Sequence, residues 1–379
     1  MRPAPVPPPG AERFEGLDAC RGLCALAVVL FHLDAATHAA AFWRGGYVAV
    51  MFFFVLSGFV LSHAYRGKIR TPGDLGRYAI RRFGRLYPLH AFMLALYLLI
   101  EIAIGFHSEG RFIGSTSPRA LVAQLFLVQA YTPWSDSWNF PAWSISVELW
   151  TSLLFGVLLL AAPRRLRGVT AGLGAALFAS TLLEDPLARL TSSVEAGVLV
   201  NIAQYMGAFM AGVLTWDLWR LARTRGWRPP PGADAAVLGL ALAVIGFAAR
   251  LDPIPQTAAF VVIVFVLAFE NGPASRLLKT PPLTRLGRWS FSIYLTHSLY
   301  TLAAFQLVVA LGKRLHLPAT VDLDDGLRLV LGGRWAMDAL AMACLFAVIA
   351  GSSLTYRFVE APGRAVFNRL ANRLRRAPA

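Results

Sequence analysis

Apolar and polar stretches alternate along the whole chain. Apolar runs lie at about 17–37, 46–65, 86–106, 142–162, 168–184, 197–216, 235–250, 254–270, 288–310 and 335–357. Each comes near the ~20 residues that a helix needs to cross a bilayer, with 168–184 and the two after residue 235 on the short side. A further run, Leu121 to Tyr131, is too short to cross and reads as an interfacial or re-entrant helix. No repeat or soluble insert breaks the series. The pattern predicts an all-α fold, a polytopic transmembrane helix bundle of about ten spans, as one membrane domain over 17–364. An even number of crossings leaves both termini on the same side.

Charge decides which side that is. With the N-terminus inside, cytoplasmic segments receive the arginines from Arg66 to Arg85, Arg164 to Arg167, Arg220 to Arg228 and Arg276 to Arg288, and the basic tail from Arg357 to Arg376. The opposite side holds fewer, among them Arg44, Arg111, Arg119, Arg189, Arg250 and Arg328. Positive charge thus favours alternate loops, as the positive-inside rule requires, so N- and C-termini are expected to be cytoplasmic. Residues 1–16 are Pro-rich and read as a disordered tail, and 365–379 as a basic cytoplasmic tail. A secretory signal peptide is the poorer reading of the first run, because Asp18, Arg21 and His32 interrupt it.

Composition agrees with a membrane protein and removes one class of partner. Of 379 residues, 56% are hydrophobic and 15% charged, against about 25% charged in soluble domains. Mean hydropathy is +0.55. A net charge of +15 would suggest nucleic acid in a soluble chain, but here the cations sit between apolar runs, so none is expected. Cys20, Cys24 and Cys344 lie in apolar segments without metal-ligand spacing, and no metal is expected.

Against this apolar background the titratable residues stand out. The first span carries Asp18, Arg21, His32 and Asp34, and such groups in a span usually face a protein interior or wet cavity. Arg21 and His32, eleven residues apart, fall on one helix face about 16 Å apart, with Asp18 near the same stripe. Before the third span, Arg82 and Arg85 share a face if helical, an arrangement suited to phosphate oxygens as well as to ordinary positive-inside charge. In Trp138-Asn-Phe-Pro-Ala-Trp-Ser-Ile-Ser-Val-Glu148, Pro141 opens a helix that puts Ser144 and Glu148 on one face, at a depth similar to that of His32. A carboxylate near an imidazole would fix its tautomer. Ser57-Gly58 reads first as a close helix contact. His297 either lines the same cavity or makes a structural bond between helices, and Glu360 and Arg364 read as a local ion pair.

Taken in order, these motifs resemble the acyltransferase-3 family of membrane enzymes over nearly the whole chain, Leu17 to Arg364. The likeness rests on Arg21 and His32, Phe52-Phe-Phe-Val-Leu-Ser-Gly58, Arg82-x-x-Arg85, Ser144-x-x-x-Glu148, Tyr294-Leu-Thr-His297 and the closing Arg357-Phe-Val-Glu-x-Pro-x-Arg364. The resemblance implies a multi-pass protein of the bacterial cytoplasmic (inner) membrane, in contact with membrane lipid. It implies transfer of an acyl group, often acetyl, from cytoplasmic acyl-CoA to a hydroxyl of a glycan or lipid-linked sugar, with macrolides as another acceptor class. Acyl-CoA would be a co-substrate, with no permanently bound cofactor. His32 and Glu148 would carry catalysis, Arg21, Arg82 and Arg85 would hold the donor's phosphates, and Asp18, Trp143, Ser144 and His297 would meet substrates. His32 would act as a general base or as an acyl-carrying nucleophile. The competing class is a proton-coupled transporter with His32 and Glu148 as its relay.

Overall fold

The computed structural model describes residues 13–105, 116–182, 194–323 and 326–374. Most of the expected N-terminal tail, the last five residues, Arg111 and Arg189 lie outside them. Among the described residues each of the ten apolar runs holds a helix: α1 Glu15–Leu33, α2 Ala49–Tyr65, α3 Pro72–Gly105, α4 Ala142–Ala161, α5 Leu166–Thr181, α6 Val194–Thr224, α7 Ala233–Gly246, α8 Pro253–Leu267, α9 Pro281–Leu315 and α10 Arg334–Thr355. A π-helical turn, Tyr356–Glu360, leads into α11, Ala361–Arg373. Six segments are long and apolar enough to cross a membrane: α1, Ala40–Tyr65, Pro72–Ala103, α4, α9 and Arg334–Arg373. Large apolar side chains such as Leu99, Phe346, Leu354 and Trp335 are exposed on these helices, a surface that suits lipid rather than water. The protein is an all-α integral membrane protein.

Local chemistry moves several boundaries away from the apolar runs. The third run begins fourteen residues early because Thr71-Pro-Gly-Asp74 forms a capping box. Thr71 Oγ1 accepts the Asp74 N–H at 3.1 Å, and the Asp74 carboxylate accepts the Thr71 N–H at 3.0 Å. Pro72 sits at the first helical position, where its missing N–H costs nothing. Arg82 and Arg85 therefore stand on a continuous 34-residue helix. At the N-terminus, Phe14 is buried and the Gly16 N–H donates to Glu270 Oε1 at 3.0 Å, so order starts before residue 17. The expected basic tail is helical to Arg373. In the loop 311–334, strands β1 (Thr320–Leu323) and β2 (Gly326–Leu329) form an antiparallel hairpin that periodicity did not reveal.

The described residues divide into two compact units, Phe14–Phe52 with Pro229–Tyr356, and Phe53–Arg228 with residues 357–374. In the first, α1 and α9 meet through glycine. A Cβ on Gly22 would lie 2.6 Å from the Leu286 carbonyl carbon and 2.7 Å from the Gly287 nitrogen, and one on Gly287 would strike the Asp18 backbone. Ten residues further along both helices, His32 meets His297. Equal steps along both mean that α1 and α9 run parallel. By contrast α10 returns antiparallel to α9, with Ser352 beside Thr296 and Gly351 beside Tyr300. In the second unit α2 and α6 run parallel, with Gly58 against the Phe209 backbone and Arg66 against Asp217. There α4 and α11 both run antiparallel to α3, with Tyr78 Oη on Ser152 O at 2.7 Å and Phe367 against Gly84.

Candidate functional site

In the first unit, the α1–α9 contact brings polar side chains together inside apolar helices. No Cβ separates the backbones at Gly22 and Gly287, so short polar groups on the two helices can reach one another. At one end Arg21 donates through Nε to Ser290 Oγ at 2.8 Å and through Nη2 to Gly287 O at 3.1 Å, and its Nη2 also lies 3.1 Å from Asp18 Oδ1. Arg21 and Asp18 are thus held against the α9 backbone. Their side chains keep 27% and 20% of their surface exposed, enough for solute to reach the guanidinium edge.

Three turns on, the His32 ring is half-buried. Its Nδ1 lies 3.0 Å from Val28 O, one turn back on α1, and 3.1 Å from His297 Nε2. The two rings are 5.0 Å apart between centroids and inclined by 31°, a side-by-side rather than stacked contact. His297 is fully buried, and its Nδ1 lies 2.5 Å from Tyr294 O. Phe31 packs edge-on against the His32 ring. A cavity of about 340 Å³ opens near the end of α1, with Leu30, Asp34, Trp43, Arg44, Arg328 and Asp338 in its wall. Leu30 is about 200° round the helix from His32, so this cavity lies behind the imidazole rather than in front of it. Its rim is braced by Asp34–Arg328 and by His38 Nδ1 on Asp338 Oδ2 at 2.5 Å.

The remaining candidates belong to the second unit. Arg82 Nη2 is 2.7 Å from Glu148 Oε1, Arg82 Nε donates to Ser152 Oγ at 3.3 Å, and Ser57 Oγ donates to the same Glu148 oxygen at 3.2 Å. The Arg82 and Glu148 side chains are 12% and 25% exposed. One α3 guanidinium and one α4 carboxylate neutralise each other there, which a low dielectric demands. Ser144, one turn before Glu148, is buried with its hydroxyl on Pro141 O at 3.1 Å. The Trp143 ring packs against Tyr205. Arg85 pairs with the buried Glu360, the residue expected to pair locally with Arg364. The π-helical turn that holds Glu360 widens the backbone at the Arg-Phe-Val-Glu motif.

Position within the apolar runs puts His32 and Glu148 at a similar expected depth. The structure groups His32 with His297 and Glu148 with Arg82, in separate units. A signal for the first pairing was present: Gly22 and Gly287 each precede a histidine by ten residues, in segments hundreds of residues apart. Positive-inside charge alone does not single out a second arginine cluster. Arg66 and Arg167 both approach Asp217, at 3.0 and 3.1 Å, Arg66 and Arg220 lie over the Trp216 ring, and Arg223 lies over Trp219. Two guanidinium groups on one carboxylate, with two more over the neighbouring Trp216 and Trp219 rings, leave a positive surplus that phosphate oxygens would neutralise.

Comparison with known proteins gives this geometry its context. The family described as "Acyltransferase domain" matches residues 14–363. The chain is 29% identical over 392 aligned residues to acyltransferase MdmB of Streptomyces mycarofaciens, covering 94% of this chain and 92% of that one. It is 26% identical over 320 residues to the peptidoglycan O-acetyltransferase OatA of Listeria monocytogenes, covering 74% of this chain and 48% of the relative. Over 155 aligned residues it is 37% identical to protein 2 in the picA locus of Rhizobium radiobacter, covering 36% of this chain and 78% of that protein. No solved structure matches the chain.

Proposed function

The chain belongs to the acyltransferase-3 family and is a membrane acyltransferase, and from that premise we propose that it moves an acyl group, acetyl in the simplest case, from acyl-CoA to a carbohydrate hydroxyl. Its setting in this reading is the cytoplasmic membrane of a bacterium, with both termini inside, the donor arriving from the cytoplasm and the acceptor from the other face. The observation that carries the reading is the half-buried His32 ring, hydrogen-bonded to a second imidazole within apolar helices. An imidazole is the side chain best matched to moving a hydroxyl proton near neutral pH.

In the direct route, His32 takes the proton of the acceptor hydroxyl as that oxygen attacks the thioester carbonyl carbon. The tetrahedral intermediate collapses, the C–S bond breaks, and the leaving thiolate recovers the proton. An acyl-histidine relay would split the same exchange into two steps and ease the depth the thioester must reach. Arg82 and Arg85, with Arg21, are the donor-side cations of this proposal. Each of the pair now faces a carboxylate, so a phosphate must compete with Glu148 for Arg82 and with Glu360 for Arg85. Glu148, freed from Arg82, would then face the acceptor beside Trp143 and Ser144. The name of OatA supports an O-linked acetyl product and a glycan-like acceptor, and MdmB supports acyl transfer in a relative matched along nearly its full length. Family membership displaces the transporter reading of the same residues.

The test is thiol release from acetyl-CoA by purified protein in lipid nanodiscs, for wild type and His32→Ala. Release that falls by at least about a hundredfold in the variant is expected, the range that general-base groups contribute. Undiminished release would overturn the role of His32. Acetyl label retained on His32 after a single turnover would replace the direct route with the relay.

A further inference from the structure

We propose that His297 is a positioning residue rather than a substrate contact: it selects the tautomer of His32, leaves the lone pair on His32 Nε2, and shares the charge when that nitrogen takes a proton. The proposal deepens the acyl-transfer reading of His32 and rests on it, while its structural half stands on hydrogen-bond logic alone.

Five atoms, three ring nitrogens and two carbonyl oxygens, decide where the hydrogens lie. A neutral imidazole has one N–H and one lone pair, and a backbone carbonyl only accepts. His297 Nδ1 faces Tyr294 O at 2.5 Å, so that nitrogen must carry the hydrogen. His297 Nε2 then bears the lone pair, and the group opposite it, His32 Nδ1 at 3.1 Å, must donate. His32 Nδ1 also faces Val28 O at 3.0 Å, which again requires a hydrogen there, shared between two acceptors. The opposite direction of donation would set the bare His297 Nδ1 against Tyr294 O and the bare His32 Nδ1 against Val28 O. Two lone-pair contacts would replace two hydrogen bonds, so both carbonyls select the same direction.

The consequence falls on the far nitrogen. With hydrogen on Nδ1, His32 Nε2 is the basic atom, and it lies on the ring edge away from its own backbone. When Nε2 accepts the acceptor's hydroxyl proton, the imidazolium charge reaches Nδ1, whose N–H points at the His297 lone pair. A carboxylate does this in the better-known triad arrangement by orienting the ring and stabilising the imidazolium. Here a neutral ring does it without adding a resting charge to a membrane span, where charge is costly. His297 suits the task because it is fully buried and both of its ring nitrogens are already engaged, which also leaves it no face for a substrate. The parallel α1–α9 pair sets the register, since the Gly22–Gly287 contact places the two rings at the same height ten residues later.

The first test requires no turnover. Full-length protein labelled with ¹⁵N-histidine in lipid nanodiscs, with the His32 and His297 signals assigned by loss in His32→Gln and His297→Gln, should show both rings protonated at Nδ1. A ¹⁵N–¹⁵N coupling across the shared hydrogen bond should link His32 Nδ1 to His297 Nε2. A His32 protonated at Nε2, or no coupling, would overturn the proposal. The second test is kinetic, with acetyl-CoA as the probe. His297→Leu should lower kcat for thiol release by about tenfold or more with KM for acetyl-CoA unchanged. His297→Asn, whose side-chain oxygen can accept from His32 Nδ1, should recover most of it although both variants lose comparable thermal stability. Equal activity in Leu and Asn variants would make His297 merely structural. Should His32→Ala retain full activity while the coupling is present, the acyl-transfer reading of His32 fails and the tautomer assignment survives.

Discussion

Replacing Gly22 by alanine should damage the enzyme, whereas the same change at Gly172 should not. A Cβ on Gly22 would lie 2.6 Å from the Leu286 carbonyl carbon, 2.7 Å from the Gly287 nitrogen and 2.9 Å from the Leu286 Cβ. Carbon atoms rest about 3.5–4.0 Å apart, and two of these three neighbours are backbone. The helices must therefore part by about 1 Å. Because α1 and α9 run parallel, a sideways shift carries along their length and stretches the 3.1 Å contact between His32 and His297 to roughly 4 Å, beyond hydrogen-bonding range. Overpacking of this kind costs about 1–3 kcal/mol and outweighs the ~1 kcal/mol that alanine gains over glycine in a helix. A Cβ on Gly172 meets nothing within 4 Å, so there only the helix gain remains. Thermal unfolding in nanodiscs followed by size-exclusion fluorescence should show a lower midpoint for Gly22→Ala and an equal or higher one for Gly172→Ala. Thiol release from acetyl-CoA should fall about tenfold in the first, the effect of losing roughly 1.4 kcal/mol of positioning, and stay at wild-type level in the second. A Gly22→Ala protein as stable and as active as Gly172→Ala would refute the helix contact as the source of the histidine geometry.

Other perturbations probe the second unit and the hairpin. Glu148→Gln should destabilise by up to about 3–5 kcal/mol, less to the extent that a quarter-exposed carboxylate is already hydrated, because Arg82 loses its countercharge. Arg82→Met combined with Glu148→Leu should recover most of that stability without activity. A double variant as unstable as Glu148→Gln in the same unfolding assay would mean the pair does not act as a unit. Arg328→Ala removes the cation that pins β2 to Asp34. The Ala36 and Leu329 amides, which bond across that junction at 2.9 and 3.0 Å, should then exchange hydrogen about tenfold faster by mass spectrometry, an opening worth ~1.4 kcal/mol. Unchanged exchange would show that the backbone bonds hold the hairpin alone.

Much of the architecture could be read from the residues because lipid imposes a simple rule. A backbone in hydrocarbon must satisfy its own hydrogen bonds, so an apolar run of the right length becomes a helix regardless of its neighbours. Each of the ten runs holds a helix among the described residues, and six helical segments are long and apolar enough to cross a membrane. Where short-range chemistry competed, the run alone misplaced the boundary. The Thr71–Asp74 capping box carried α3 back through the arginines, and Phe367 against Gly84 turned a basic tail into a packed helix. The hairpin at 320–329 was hidden because its strands are four residues long and carry no sustained alternation.

The candidate site divided along the same line. Residue type alone marks the side chains that are out of place in an apolar chain, namely Asp18, Arg21, His32, Arg82, Arg85, Glu148, His297 and Glu360, since burial cost depends on the side chain. Which of them meet was decided only by the tertiary structure. Partnership depends on helix register and on where backbones approach, and both are set by contacts between residues far apart in the chain. Gly22 against Gly287 joins His32 to His297, and α3 against α4 joins Arg82 to Glu148. Depth in the membrane is the only long-range coordinate that a hydropathy pattern supplies for choosing between the two possible partners of His32. It could not choose between them, because it fixes height along the membrane normal and leaves rotation and neighbour unspecified.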